Sequence, residues 1–157
     1  MAAGVVGKLE AEMEVKSNAD KFWSAIKDFA TIFPNTSPSI YKGTRIIQGD
    51  GKAQGSLMKV TLDIGHELDV KTVTERIEDV DDAKRTIIYS VIDGDLLKYL
   101  KSYKGYISVI PKGDDNGSIV KWSCEYEKAS QEVPEPILIK EFAYKIFPNV
   151  DDYLLSK

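Results

Sequence analysis

Several short stretches of this sequence carry residue types that could do chemistry. The run Gly49-Asp50-Gly51-Lys52-Ala53-Gln54-Gly55-Ser56 could cradle an anion on its backbone N–H groups. A nucleotide-hydrolysing phosphate loop needs Gly-Lys-Ser/Thr leading into a helix, whereas Gly55-Ser56 leads into the alternating stretch Leu57-Met58-Lys59-Val60-Thr61-Leu62. Gly49, Gly51 and Gly55 are therefore expected to serve a turn that needs positive φ. His66 is the only histidine and lies in Gly65-His66-Glu67, where a turn is expected. One histidine builds no metal site, and a base at a solvent-facing turn lacks a partner and a pocket. Cys124 shares strand parity with Val120, Trp122 and Tyr126, so its thiol should face inward, protonated and inert. Lys98, Lys101 and Lys104 interleave with Tyr99, Tyr103 and Tyr106. Three lysines on an acidic chain make a small patch, and a strand bearing aromatic side chains accounts for them. The acidic run from Glu75 to Asp82 and the pair Asp114-Asp115 read as solvated hairpin ends.

The elements that must position these residues follow from periodicity. Residues 8–16 alternate strictly, with Leu9, Ala11, Met13 and Val15 on one face and charge on the other. Ser17 is placed to cap a segment in which Phe22, Trp23, Ile26, Phe29 and Phe33 recur at helical spacing until Pro34 and Pro38. A period of two then recurs over 40–48, 56–64, 68–78, 85–92, 99–111 and 118–127, joined by short links rich in Gly, Asp or Asn. Those links favour sequential antiparallel pairing. Beyond Pro134 and Pro136, the residues Ile139, Phe142, Ala143, Ile146, Val150, Tyr153 and Leu154 form the stripe of one long helix. The order predicts an α+β fold: a seven-stranded curved antiparallel sheet around a long C-terminal helix, with two short helices after the first strand. Pro148 falls inside that helix, where it deletes one amide and should bend the helix without ending it.

The inward face follows from the parity of Trp122 and Cys124. It comprises Met58, Val60, Leu62, Leu68, Val70, Ile87, Tyr89 and Val91, completed by Ile26, Phe33, Tyr106, Phe142 and Ile146. Periodicity alone fits an ordinary packed core as well as a hollow one. Many of these side chains are medium-sized, which admits a cavity of roughly several hundred Å³.

Composition narrows the function classes. A chain of 157 residues, 43% apolar and 29% charged, has the size and balance of one globular domain over 1–157. A formal charge of −4 supplies no basic stripe for phosphates, so strong nucleic-acid binding is not expected. A lone cysteine fits a reducing compartment, and neither a membrane-spanning apolar run nor a signal-peptide pattern is read, so the cytoplasm is the expected location. No metal or cofactor is called for by any cluster of residues.

Phe33-Pro34, the Gly-rich loop, Tyr89-Ser90-Val91-Ile92-Asp93-Gly94-Asp95, Lys121-Trp122-Ser123-Cys124-Glu125-Tyr126-Glu127 and Asp152-Tyr153-Leu154-Leu155 occur in order along the chain. Together they resemble the major-latex-protein branch of the birch-pollen-allergen, or pathogenesis-related class ten, superfamily of plants. The resemblance implies a helix-grip fold with an internal cavity for an apolar small molecule: a hormone, sterol, flavonoid or fatty-acid-like compound. It further implies transport or storage of that molecule in defence or stress response. It also implies alternatives, since relatives include condensing and isomerising enzymes and members with ribonuclease activity. The ribonuclease pattern is incomplete here: the lysine expected after the Gly-rich loop falls on Met58, although Asp151 and Tyr153 match two positions of the last helix. A protein partner is not named by any feature.

Overall fold

The computed structural model describes residues 6–64, 70–113 and 117–157. β1 (Val6–Val15) is followed by α1 (Ala19–Lys27) and α2 (Phe29–Thr36). Six strands come next: β2 (Tyr41–Gln48), β3 (Leu57–Leu62), β4 (Thr72–Asp81), β5 (Thr86–Gly94), β6 (Leu100–Pro111) and β7 (Ser118–Lys128). A single 3₁₀ turn, Asp95–Lys98, links β5 to β6, and α3 (Ile137–Leu155) closes the chain. All seven strands form one antiparallel sheet in the order β1-β7-β6-β5-β4-β3-β2. The expected curved sheet, C-terminal helix and pair of short helices are all present.

Alternation decides which side chains meet the helices. On β7, Val120, Trp122, Cys124 and Tyr126 are buried, and β1 pairs with it from Val6↔Glu127 to Val15↔Ser118, so that Leu9, Ala11 and Val15 join the same face. Burying a large aliphatic or aromatic side chain on that face contributes about 1.5–3 kcal/mol. Lys121 and Glu12 meet at 3.7 Å across the opposite, wet face.

The first helix starts one residue later than expected. Asn18, not Ser17, caps α1, its side-chain oxygen accepting from the Lys21 amide at 2.8 Å. Ser17 is instead tied to the far end of the chain. Its amide (2.9 Å) and hydroxyl (2.7 Å) both donate to Asp151 Oδ1 on α3, while the Lys16 amide donates to Oδ2 at 2.9 Å. A buried carboxylate thus saturates the amides at the β1–α1 junction and anchors α3 there. Pro34 does not end the helical segment, because α2 runs on to Thr36; the break lies instead at Asp28, between α1 and α2. α3 likewise continues through Pro148. Pro148 and Tyr144, whose carbonyl loses its usual donor, both lie on the exposed side, where water can replace the missing amide.

Candidate functional site

A cavity of about 90 Å³ lies between the concave face of the sheet and α3. Phe33 closes it from α2, Tyr41 from β2, Leu62 from β3, and Phe142, Ala143, Ile146 and Phe147 from α3. It is far smaller than the several hundred Å³ expected from sequence. The sequence suggests medium-sized inward positions, but the bulky Tyr41, Tyr89, Tyr103, Trp122 and Phe147 all line this space. Phe33 stacks at 5.3 Å from the Tyr41 ring and 6.1 Å from Phe147, and Tyr89 lies 6.2 Å from Tyr103.

The fifteen side chains expected to face inward separate into groups. Phe33, Leu62, Val70, Tyr89, Val91, Trp122, Phe142 and Ile146 stand on the cavity wall. Ile26, Met58, Val60, Ile87 and Cys124 are buried in the core but do not stand on the wall. Tyr106 is a correction. It pairs with Ile88 and Ser123 on the outer face, while Tyr103, Ile107 and Val109 of the same strand are buried. Its hydroxyl bonds to Glu125, which raises its pKa. Leu68 and His66 lie outside the described residues. Sequence reasoning missed Ile40, Tyr41, Val73, Glu75, Tyr103, Ile107, Ile139, Ala143 and Phe147, all on the wall.

A polar cluster sits within this apolar lining. The Trp122 indole N–H donates to the Tyr89 hydroxyl at 3.3 Å. The Tyr103 hydroxyl lies near both the Tyr89 hydroxyl and the Cys124 thiol. Gly105, opposite both Tyr89 and Cys124 in the sheet, makes this possible, because a Cβ there would run into the Tyr89 ring. Burial raises the pKa of Tyr41, Tyr89 and Tyr103, so all three are neutral hydroxyls at physiological pH. Burial also pushes the Cys124 thiol up to about 11, which keeps it protonated.

Glu75 is the larger departure from expectation. The acidic run from Glu75 to Asp82 reads as solvated in sequence, yet Glu75 shares the inward side of β4 with the buried Val73 and Ile77 and stands on the cavity wall. Desolvation lifts its carboxyl from 4.5 to about 7. Elsewhere in the run, Asp82 accepts from the Trp23 indole N–H at 2.9 Å and pairs with Lys27 at 2.9 Å, an architectural rather than chemical role.

The Gly-rich loop is separate from the cavity wall. Asp50 Oδ1 accepts from the amides of Lys52 (2.8 Å) and Ala53 (2.9 Å), and the Gly51 amide donates to Ser56 Oγ at 3.2 Å. These bonds hold the Asp50 carboxyl below its usual range, the Ala53 amide contributing most. An internal carboxylate thus occupies the position an incoming anion would need. Gly49, Gly51 and Gly55 have φ of 78°, 81° and 89°, the turn geometry expected of them. Among the described residues no group of His, Cys, Asp or Glu is arranged to hold a metal ion, and no helix is long and apolar enough to cross a membrane.

With this geometry in place, comparison with known proteins assigns the chain. Residues 4–157 match the family model described as pathogenesis-related protein Bet v 1 family. The chain belongs to the Bet v 1 family. Its members are generally ligand-binding proteins. MLP-like protein 423 of Arabidopsis thaliana is 46% identical over 154 residues, 98% of this chain and 97% of that protein. MLP-like protein 28 of the same plant is 37% identical, but the chain spans only 46% of its length. Among solved structures, ginseng major latex-like protein 151 from Panax ginseng superposes with a TM-score of 0.84 at 23% identity, covering 97% of this chain and 99% of that one. Truncated norcoclaurine synthase from Thalictrum flavum gives 0.83 at 24%, covering 100% and 98%. At these identities both structures speak to the fold alone.

Proposed function

We propose that this Bet v 1 family protein, as one helix-grip domain over 1–157, binds a small apolar molecule in the cavity between the sheet and α3. The observation that carries this reading is the make-up of the wall. Aromatic and aliphatic side chains supply contact area, while the Tyr89–Trp122–Tyr103 cluster supplies the few oriented polar atoms that fix a ligand's pose. Room of about 90 Å³ suits a compact ring or the ring-bearing end of a longer molecule. Sterol and flavonoid skeletons are larger, so α3 or the aromatic side chains must move to admit them. Transport or storage of such a molecule in the cytoplasm, in defence or stress response, is the role this reading fits. It draws support from the similarity to major latex proteins and from the protonated free thiol.

Native mass spectrometry of protein purified from its own tissue tests the reading. A co-purifying small molecule at one per chain is expected, and only bare chain from gently handled tissue would count against it. One observation favours a second reading, an enzyme of condensation or isomerisation using the same cavity. A carboxyl titrating near 7 beside tyrosine hydroxyls is suited to proton abstraction. Turnover of an offered substrate, lost in Glu75→Gln, would establish it. The ribonuclease alternative gains nothing from the geometry, because the Gly-rich loop's anion position is filled by Asp50.

A further inference from the structure

Glu75 gives the cavity a feature that an apolar site does not need. Its carboxyl stands on the wall, where desolvation dominates its ionisation, and among the described residues no hydrogen bond or cation relieves it. The groups facing it are Tyr41 from β2, Tyr89 from β5 and Tyr103 from β6. α3 turns only apolar side chains toward the void, Ile139, Phe142 and Ile146 among them, and no Lys or Arg stands on the wall among the described residues. The tyrosines do not neutralise the charge.

Tyr89 is already committed in one direction. An indole N–H can only donate, so Trp122 uses one lone pair of the Tyr89 oxygen. The wall thus offers tyrosine hydroxyls and one carboxylate that no Lys or Arg among the described residues accompanies, set in apolar surroundings.

We propose that the cavity selects an apolar molecule bearing a basic nitrogen, whose ammonium pairs with the Glu75 carboxylate. This rests on the ligand-binding reading of the same cavity and narrows its ligand class. A fatty acid would bring a second carboxylate against Glu75, and a neutral ring would leave Glu75 as costly as before. A neutral hydroxyl can give the carboxylate a hydrogen bond, but an ammonium gives it both the bond and a full counter-charge, made strong by the exclusion of water. The ligand loses hydration on the way in, so the gain appears as selectivity between matched ligands more than as absolute affinity. Binding a cation also favours the ionised carboxylate, so the amine complex should weaken as acid protonates Glu75.

Calorimetric titration of the full chain with benzylamine and benzyl alcohol, equal in ring and reach, separates these effects. At pH 8 benzylamine is expected to bind at least tenfold more tightly than benzyl alcohol. The preference should shrink severalfold at pH 5.5, a measurement that requires no variant. Glu75→Gln keeps the shape and should erase the preference. Equal binding of the two probes by the wild type, or an amine preference that survives Glu75→Gln or is unchanged at pH 5.5, overturns the inference and leaves the cavity reading standing. Failure of both probes to bind overturns the two together.

Discussion

At the scale of single residues, Tyr89 and Trp122 were legible in the sequence because they alternate in phase with unmistakably apolar neighbours: Ile87 and Val91 in one case, Val120 and Cys124 in the other. Glu75 was equally legible by parity, lying between Val73 and Ile77, but its place in an acidic run masked the signal. A charge at an inward position is the exception that alternation cannot explain and function can. Its ionisation has a consequence for stability. A carboxyl held at about 7 in the fold and near 4.5 when unfolded binds its proton more tightly in the native state. Glu75 therefore does not penalise the fold below pH 4.5, and stability falls as pH rises from there through 7. Removing the charge with Glu75→Gln should flatten that slope and, at pH 8, stabilise the protein by on the order of 2–3 kcal/mol, as read by urea denaturation. A variant with the wild-type slope would place the carboxyl in water. Tyr89→Phe and Trp122→Ala should part company in the same assay. The first removes one neutral hydrogen bond and should weaken ligand binding by about 0.5–1.5 kcal/mol with the fold intact. The second opens a void in the wall and should cost roughly 3–5 kcal/mol of stability.

At the scale of elements, strand number and the long last helix could be read from periods of two and of three to four, and the short links gave the sequential pairing of β2 through β7, but nothing local showed that β1 pairs with β7 and not with β2. The details that escaped were those set by distant partners. Ser17 has the right side chain for a helix cap, but Asp151, far away in sequence, claims its hydroxyl and amide and leaves the cap to Asn18. On β6 a register shift between Leu100 and Ser102 precedes the inward series Tyr103, Gly105 and Ile107, with Tyr106 on the outer face. Pro34 and Pro148 sit inside helices that continue because their context tolerates them. The Asp151 anchor gives an element-scale prediction. Asp151→Ala strands two backbone amides and a hydroxyl where β1 meets α1, and should cost about 2–3 kcal/mol in chemical denaturation, with faster hydrogen exchange in the last turns of α3. Exchange in α3 unchanged from wild type would show that the helix is held by its apolar stripe alone.

At the scale of the whole molecule, the sequence showed that an interior exists but not how much of it is empty. Cavity volume is a small difference between the space a curved sheet encloses and the side chains that enter it, and a few aromatics decide the remainder. Here Tyr41, Tyr103 and Phe147, none of them assigned to the interior in advance, reduce the void to about 90 Å³. The central claim is that this void is a binding site and not a packing defect. The most direct test is to fill it from the helix side and titrate a compact apolar ring. Ala143 stands on the wall, and Ala143→Leu adds three carbons there. The account predicts that calorimetry with benzyl alcohol shows one site per chain in the wild type and none in Ala143→Leu, with unchanged circular dichroism and a cost below about 3 kcal/mol from any overpacking. Equal binding by the two proteins would contradict it and place the ligand elsewhere on the molecule.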